Sequence, residues 1–238
     1  MIKAVAFDFR DTLLKVDRGY KAMNRSVWNF VIRKGIKISE KDLLRMNALV
    51  IKEHKRKIAK NKKIYDATPI FIAALLKKLG LRLVDKQFHK LLGQVSGSFV
   101  RNANLYPDAV RLLKTLKNRK IKTALVIDGS IKREKAIIKR LGLNKFINVV
   151  IISEEIGHNK FTSKPLAAAL KKLKVNPEHV LVVGDRLDKD IVHANKLGCV
   201  SVQLVRHGGR YADLVGTKIA EKPKFIVYSL SQVLPLIK

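Results

Sequence analysis

Acidic residues, cysteine, tryptophan and long apolar runs are all in short supply in this chain. The lone cysteine, Cys199, excludes an intramolecular disulfide framework, and its place between Leu197-Gly198 and a Val-rich strand reads as an ordinary buried thiol. No apolar run approaches the roughly 18 residues of a membrane-spanning helix, and 47% hydrophobic residues point to a soluble globular chain with a substantial core. The N-terminus lacks a basic segment followed by an apolar stretch and a cleavage site, so no signal peptide is read and a cytoplasmic location is expected. Internal repeats and low-complexity linkers are absent too.

The shortage of acid has the widest consequence. Nineteen Asp and Glu stand against 50 Lys and Arg, a formal net charge of +31, and a field of that sign attracts polyanions non-specifically. The imbalance is uneven, because residues 15–96 hold 21 basic side chains against 6 acidic ones. Its extreme, Lys52 to Lys63, has seven basic residues, one acid and His54, and reads either as a solvated helix face or as a contact for nucleic acid. No RNA-binding motif or interleaved aromatics accompany it. Such a charge disfavours self-association at low salt but leaves the oligomeric state open.

What the chain does have is a recurring pattern of buried strands that end in acids. Ile2 through Phe7, broken only by Lys3, runs into Asp8; Ala124 through Ile127 runs into Asp128-Gly129-Ser130; Val180 through Val183 runs into Gly184-Asp185, with Asp190 five residues on. A single such Asp, taken alone, reads first as the cap of a turn. In open α/β sheets, however, ligands bind beyond the carboxyl ends of the strands. If the three strands are neighbours, their carboxylates converge at one edge, and repulsion makes that costly unless a hard cation such as Mg²⁺ sits among the oxygens.

Between the first strand and the rest lies a stretch that reads as all helix, residues 15–96. Tyr20, Met23, Val27 and Phe30 recur at helical spacing, and Ser39 with Asp42 resembles a capping box. Thr68-Pro69 reads as an N-cap and first helical residue, and a last helix covers Asp85 to Val100, weakened by Gly93 and Gly97. From Asn104 strands and helices alternate, which predicts a doubly wound parallel sheet with right-handed crossovers. The tail, after a short strand Phe225-Ile226-Val227, predicts a helix over Ser229 to Ile237 shortened by Pro235. The expected division is a core of residues 1–14 plus 97–238 and a helical insert of residues 15–96.

Asp8-Phe9-Arg10-Asp11-Thr12-Leu13 resembles the first motif of the haloacid dehalogenase (HAD) superfamily, D-x-D-x-T-L. Gly184 through Asp190 resembles the fourth, G-D-x-x-x-x-D, and Glu154 through Lys160 with the helix ending at Leu173 resembles the third, in order and spacing. The resemblance implies an α/β fold, a HAD-like Rossmannoid sheet with a smaller all-helical cap domain. It implies a phosphatase acting on a small phosphomonoester, with Asp8 as the nucleophile that becomes an aspartyl-phosphate and Lys160 bridging Asp8 and the phosphoryl oxygens. Mg²⁺ would be held by Asp8, the backbone carbonyl of Arg10 and Asp185, with Asp190 orienting the lysine or a metal-bound water.

The sequence also departs from that pattern. Where the family's phosphatases carry a second Asp, two residues after the nucleophile, this chain has Arg10, which stays protonated and cannot act as general acid and base. Asp11 is the candidate substitute. The phosphate-binding Thr or Ser of the second motif aligns with Ile127, leaving Ser130 as the candidate hydroxyl and Asp128 as a negative charge in the phosphate-binding turn. Phe161 follows Lys160 where the family has Pro, and Lys164 is the fallback lysine. Three functions stay open: the phosphatase, a 2-haloacid dehalogenase, whose kind lacks the second Asp and needs no metal, and a catalytically impaired protein that binds a phosphorylated or polyanionic partner through its basic insert.

Overall fold

A computed structural model describes residues 1–207 and 222–237. The chain divides into two compact units, Met1–Lys15 with Asn104–Lys238, and Val16–Ala103. The first opens with β1 (Ala4–Phe7), all four residues buried, and a turn that leads into the short β2 (Leu14–Lys15).

The second unit is entirely helical. It comprises α1 (Asp17–Arg33), α2 (Glu40–Lys60), α3 (Thr68–Lys78) and α4 (Asp85–Asn102). The capping pair ahead of α2 forms, with Ser39 Oγ accepting the Asp42 N–H at 3.1 Å. Helix α3 begins at Thr68 itself, with Ala67 as its N-cap, one residue earlier than the Thr-Pro pair predicts. Helix α4 continues past residue 96 to Asn102, because Leu91, Val95 and Phe99 are buried along one face and that burial overrides the cost of Gly93 and Gly97. The described side chains of the basic run, Lys52, Lys55, Lys60, Lys62 and Lys63, are exposed; those of Arg56 and Lys57 lie outside the described residues. No described helix is long and apolar enough to cross a membrane.

The chain returns to the first unit through β3 (Asn104–Leu105), paired antiparallel with β2. It then alternates through α5 (Pro107–Asn118), β4 (Lys122–Ile127), α6 (Ile131–Arg140), β5 (Val149–Ile152), α7 (Ser153–Ile156), α8 (Lys164–Leu173) and β6 (Val180–Gly184). A π-helical turn, Leu187–Ile191, leads into α9 (Val192–Lys196), followed by β7 (Val200–Leu204) and β8 (Phe225–Val227). Residues 187–196 thus run as a π-helical turn followed by a short α-helix rather than as one regular helix. The tail is a 3₁₀ helix, Leu230–Leu236, with Pro235 inside it, where an α-helix was expected; proline lacks the N–H that an α-helical turn would need.

Six strands form one sheet in the order β5-β4-β1-β6-β7-β8, each pair parallel. Ala4, Ala6, Ala124, Val126, Val180 and Val182 pack on one face against Leu166, Ala169, Leu170 and Leu173 of α8. Small residues on β1 let that helix lie close. Strand β1 sits between β4 and β6, with Phe7 opposite both Leu125 and Val183, so the three acid-terminated strands are neighbours.

Candidate active site

Asp8 is the first residue past β1, and its N–H donates to Val183 O at 2.9 Å, so the β1–β6 ladder runs one step beyond the strand. Gly184 and Asp185 reach the same edge from β6. Space requires the glycine, because a Cβ there would lie 2.4 Å from Asp190 Cγ and Oδ2. Asp190 is packed against the strand end by the π-helical turn, and its Oδ2 accepts the Arg186 N–H at 3.1 Å. One carboxylate oxygen each from Asp8, Asp185 and Asp190 lies within 4.8 Å of the others.

Lys160 answers that charge. Its Nζ donates to Asp8 Oδ1 at 2.5 Å and Val126 O at 3.2 Å, and it sits 2.6 Å from Asp190 Oδ1. An ammonium has three protons, and these three acceptors use them. The Lys160 N–H donates to Asp128 Oδ1 at 2.8 Å, so the loop carrying the lysine is tied to the end of β4. Asp128 in turn accepts from Lys189 Nζ at 2.5 Å and has Ser153 Oγ 2.5 Å away.

Burial opposes every charge in this cluster, and the neighbours decide the result. Burial pushes the Asp185 carboxyl up to about 9, helped by the charges of Asp8, Asp190 and Asp11. Asp190 rises to about 6, chiefly through burial, with Lys160 pulling it back and Asp8 adding to the rise. For Lys160 burial works to lower the ammonium, but Asp190, Asp8 and Asp128 outweigh it and hold it raised and protonated. For Asp128 burial is outweighed by Lys189 and Lys160, which keep its carboxyl below the usual range. The edge around Asp185 is thus short of positive charge, and its hard oxygen donors suit Mg²⁺.

On the β4 side, Arg10 Nη1 donates to Asp128 O at 2.7 Å and Nη2 to Glu134 Oε1 at 2.5 Å. Glu134, in the first turn of α6, is fully buried and also accepts from Arg133 Nε at 3.0 Å. Gly129 makes room, since a Cβ there would lie 2.2 Å from Glu134 Oε1. The neighbouring Asp11 is buried with φ +60°. Its N–H donates to Leu14 O at 2.8 Å and its carbonyl accepts from Arg206 Nε at 3.2 Å.

The family model for haloacid dehalogenase-like hydrolases matches residues 2–198. The chain belongs to this family. It is 30% identical over 240 residues to a glyceraldehyde 3-phosphate phosphatase from Methanopyrus kandleri, covering 100% of this chain and 98% of that one. A glyceraldehyde 3-phosphate phosphatase from Methanocaldococcus jannaschii is 27% identical over the same shares. Among solved structures, the putative HAD-hydrolase YfnB from Bacillus subtilis superposes with a TM-score of 0.76 at 17% identity, covering 99% of this chain and 98% of that one. An L-2-haloacid dehalogenase from Xanthobacter autotrophicus gives 0.71 at 21% identity, covering 100% and 98%.

Within this HAD-like unit, Asp8, Lys160, Asp185 and Asp190 come together in one cluster, and Asp128 joins it through the Lys160 N–H and the Lys189 ammonium. Asp11 lies in the adjoining turn, near enough for its charge to act on Asp185. Ser130 ends the loop before α6, and no hydrogen bond among the described residues ties its hydroxyl to Asp8 or Lys160. Lys164 is exposed and its Nζ lies 2.8 Å from His158 Nε2, away from the carboxylates. Phe161, in the place of the family's proline, lies beneath Lys189 Nζ at 4.1 Å and Arg186 Cζ at 5.5 Å from the ring centroid. Sequence reasoning missed Ser153, Glu134, Lys189 and Arg206. Arg206 carried the readable signal, a charged residue just past the mostly buried strand Val200–Leu204, as Asp8 stands just past β1.

Proposed function

We propose that this chain is a Mg²⁺-dependent phosphatase acting on a small phosphomonoester through an aspartyl-phosphate on Asp8. The observation that carries the reading is the buried Lys160 ammonium held between Asp8 and Asp190 beside Asp185, because it aims one carboxylate at the edge and supplies a cation for phosphoryl oxygens. Asp8 is the nucleophile: its carboxylate attacks phosphorus and later departs as a carboxylate. Asp190 positions Lys160, and Asp128 fixes the backbone from which the lysine reaches. Asp8, Asp185 and the Arg10 carbonyl, with Asp190 beside them, would hold Mg²⁺, which when bound offsets the charge between phosphate and carboxylates. The match over nearly the full length to glyceraldehyde 3-phosphate phosphatases supports a small phosphorylated substrate.

Arg10 occupies the place of the usual general acid and base. Asp11 is the other acid of that turn, and Asp11→Asn reads its part: a loss of ~10²–10⁴-fold in kcat if it moves a proton, little change if it does not. The reading as a whole is tested by hydrolysis of glyceraldehyde 3-phosphate and of an aryl phosphate with and without Mg²⁺. The expected outcome is Mg²⁺-dependent phosphate release that Asp8→Asn abolishes. Metal-independent chloride release from 2-chloropropionate, with no phosphate release, would make the protein a dehalogenase instead, the reading that Arg10 favours.

A further inference from the structure

Two lysines line the cavity beside Asp8. Lys160 and Lys189 face it together with Asp8 and Asp190. The two are not equivalent as donors. Lys160 Nζ has Asp8 Oδ1 at 2.5 Å, Asp190 Oδ1 at 2.6 Å and Val126 O at 3.2 Å, so its three protons are all engaged. Lys189 Nζ donates to a single acceptor among the described residues, Asp128 Oδ2 at 2.5 Å, which leaves two protons without an acceptor there. Its side chain is only 15% exposed, so the ammonium is turned toward the cavity wall rather than out into bulk solvent. The surroundings fix it in place. Asp128 Oδ1 accepts the Lys160 N–H at 2.8 Å and lies 2.5 Å from Ser153 Oγ, so the carboxylate that holds Lys189 is itself held. The Phe161 ring, its centroid 4.1 Å from Lys189 Nζ, attracts the charge while offering no oxygen to bond.

Chain connectivity ties the two lysines to each other. Lys189 precedes Asp190 in the π-helical turn, so the main chain of Lys160 is held by Asp128, its ammonium by Asp190, and Lys189 links those two acids. A partner for the Asp128 carboxylate would by itself account for a lysine at this position, because a poorly solvated charge needs one. It does not account for an ammonium with unused donors lining the same cavity as Asp8. Ile127, the last residue of β4, is fully buried and has no polar side-chain atom, so it offers no donor to an anion at this edge. We propose that Lys189, held by Asp128, is a substrate-binding residue that donates to a phosphoryl oxygen of the phosphomonoester, while Lys160 orients Asp8. The proposal rests on the phosphatase reading and deepens it. Lys189 makes and breaks no covalent bond; its part is to hold the phosphoryl group beside the nucleophile with a donor fixed in advance.

The test measures the dissociation constant of orthophosphate by calorimetry with Mg²⁺ present, alongside kcat/KM for glyceraldehyde 3-phosphate. The wild type is compared with Lys189→Met, with Asp128→Asn, and with the double variant, in which no carboxylate is left without its cation and the new amide can still accept the Lys160 N–H. The expected result is that Lys189→Met and the double variant bind orthophosphate at least ~10-fold more weakly than the wild type and lose as much in kcat/KM, the size of a hydrogen bond to a charged group. Asp128→Asn, which keeps the ammonium, is expected to bind orthophosphate more tightly than the double variant by a similar factor. If Lys189→Met does not fold, as read by its thermal melt, the comparison of Asp128→Asn with the double variant decides. Equal affinities in those two would overturn the proposal, because Lys189 would then serve only to neutralise Asp128, and hydrolysis by the wild type would leave the phosphatase reading intact. A wild type that binds orthophosphate through Lys189 but hydrolyses no phosphate ester would overturn the phosphatase reading and leave the anion site standing. A wild type that does neither would overturn both.

Discussion

Lys160 and Asp185 carry opposite burdens, and single substitutions separate them. Lys160 is buried with all three ammonium protons engaged, so Lys160→Met leaves Asp8 and Asp190 facing each other without a counter-charge. Removing one partner of a buried pair typically costs ~3–5 kcal/mol, so the variant is expected to melt far below the wild type and to lose phosphatase activity. Undiminished stability in a denaturant titration would mean that the two carboxylates do not depend on the lysine. Asp185 is instead a carboxyl that burial and its acidic neighbours push up to about 9. Mg²⁺ at about a hundredfold excess over its dissociation constant is expected to stabilise the wild type by ~2.7 kcal/mol, and to do nothing for Asp185→Asn. The readout is the melting temperature with Mg²⁺ or with a chelator, which needs no substrate. A wild type that melts identically in both rejects the cation site without bearing on the nucleophile.

At the scale of elements, the acid-bearing turn after β1 is held by a junction that no strand supplies. Arg206, just past β7, donates from Nε to Asp11 O and from Nη2 to Thr12 O at 2.8 Å, while Nη1 and Nη2 each reach an Asp108 carboxylate oxygen at 3.1 Å. The Leu230 N–H of the tail helix also donates to Asp108, at 2.9 Å. Burial opposes the ionised Asp108, but Arg206 and the Leu230 N–H outweigh it and hold its carboxyl low. A carboxyl lowered in the folded state adds stability above its unfolded value of 3.8, and that contribution is lost as pH falls through the lower folded value. Asp108→Asn is expected to cost ~1.5–3 kcal/mol at neutral pH and to flatten the loss of stability below about pH 4, read from melts across that range. The core strands, the helical segment and the acids that end three strands were legible in the sequence because continuous apolar runs and helical spacing report burial directly, whereas Lys160 was placed beside them only by the family resemblance. The Arg206 junction, the Arg10–Glu134 pair and the engagement of Asp128 were not, because they join residues from 25 to 195 positions apart whose meeting depends on strand order. Strands of two residues such as β2 and β3 are too short for any periodicity to mark them.

For the molecule as a whole, the +31 charge acts through a field rather than through contacts. Ion pairs among the described residues engage acids at and around the site, among them Asp8, Asp128, Asp190, Glu134 and Asp108, while the sequence carries a formal excess of 31 basic over acidic side chains. Like charges repel across the surface and weaken the compact state, while the same field draws an anionic substrate toward the protein. Salt screens both effects, because the Debye length falls from ~30 Å at 0.01 M to ~10 Å at 0.1 M. Raising ionic strength through that range is therefore expected to raise the melting temperature and to lower kcat/KM for a phosphorylated substrate, in one buffer and with one preparation. Electrostatic steering alters association rates by ~10–10³-fold, so a several-fold fall in kcat/KM at constant kcat is the expected size. A melting temperature that falls with salt would show that ion pairs outweigh repulsion in this fold. A kcat/KM that ignores salt would show that the positive field does not reach the edge where Asp8 stands, and that the basic residues of the helical unit serve something other than substrate capture.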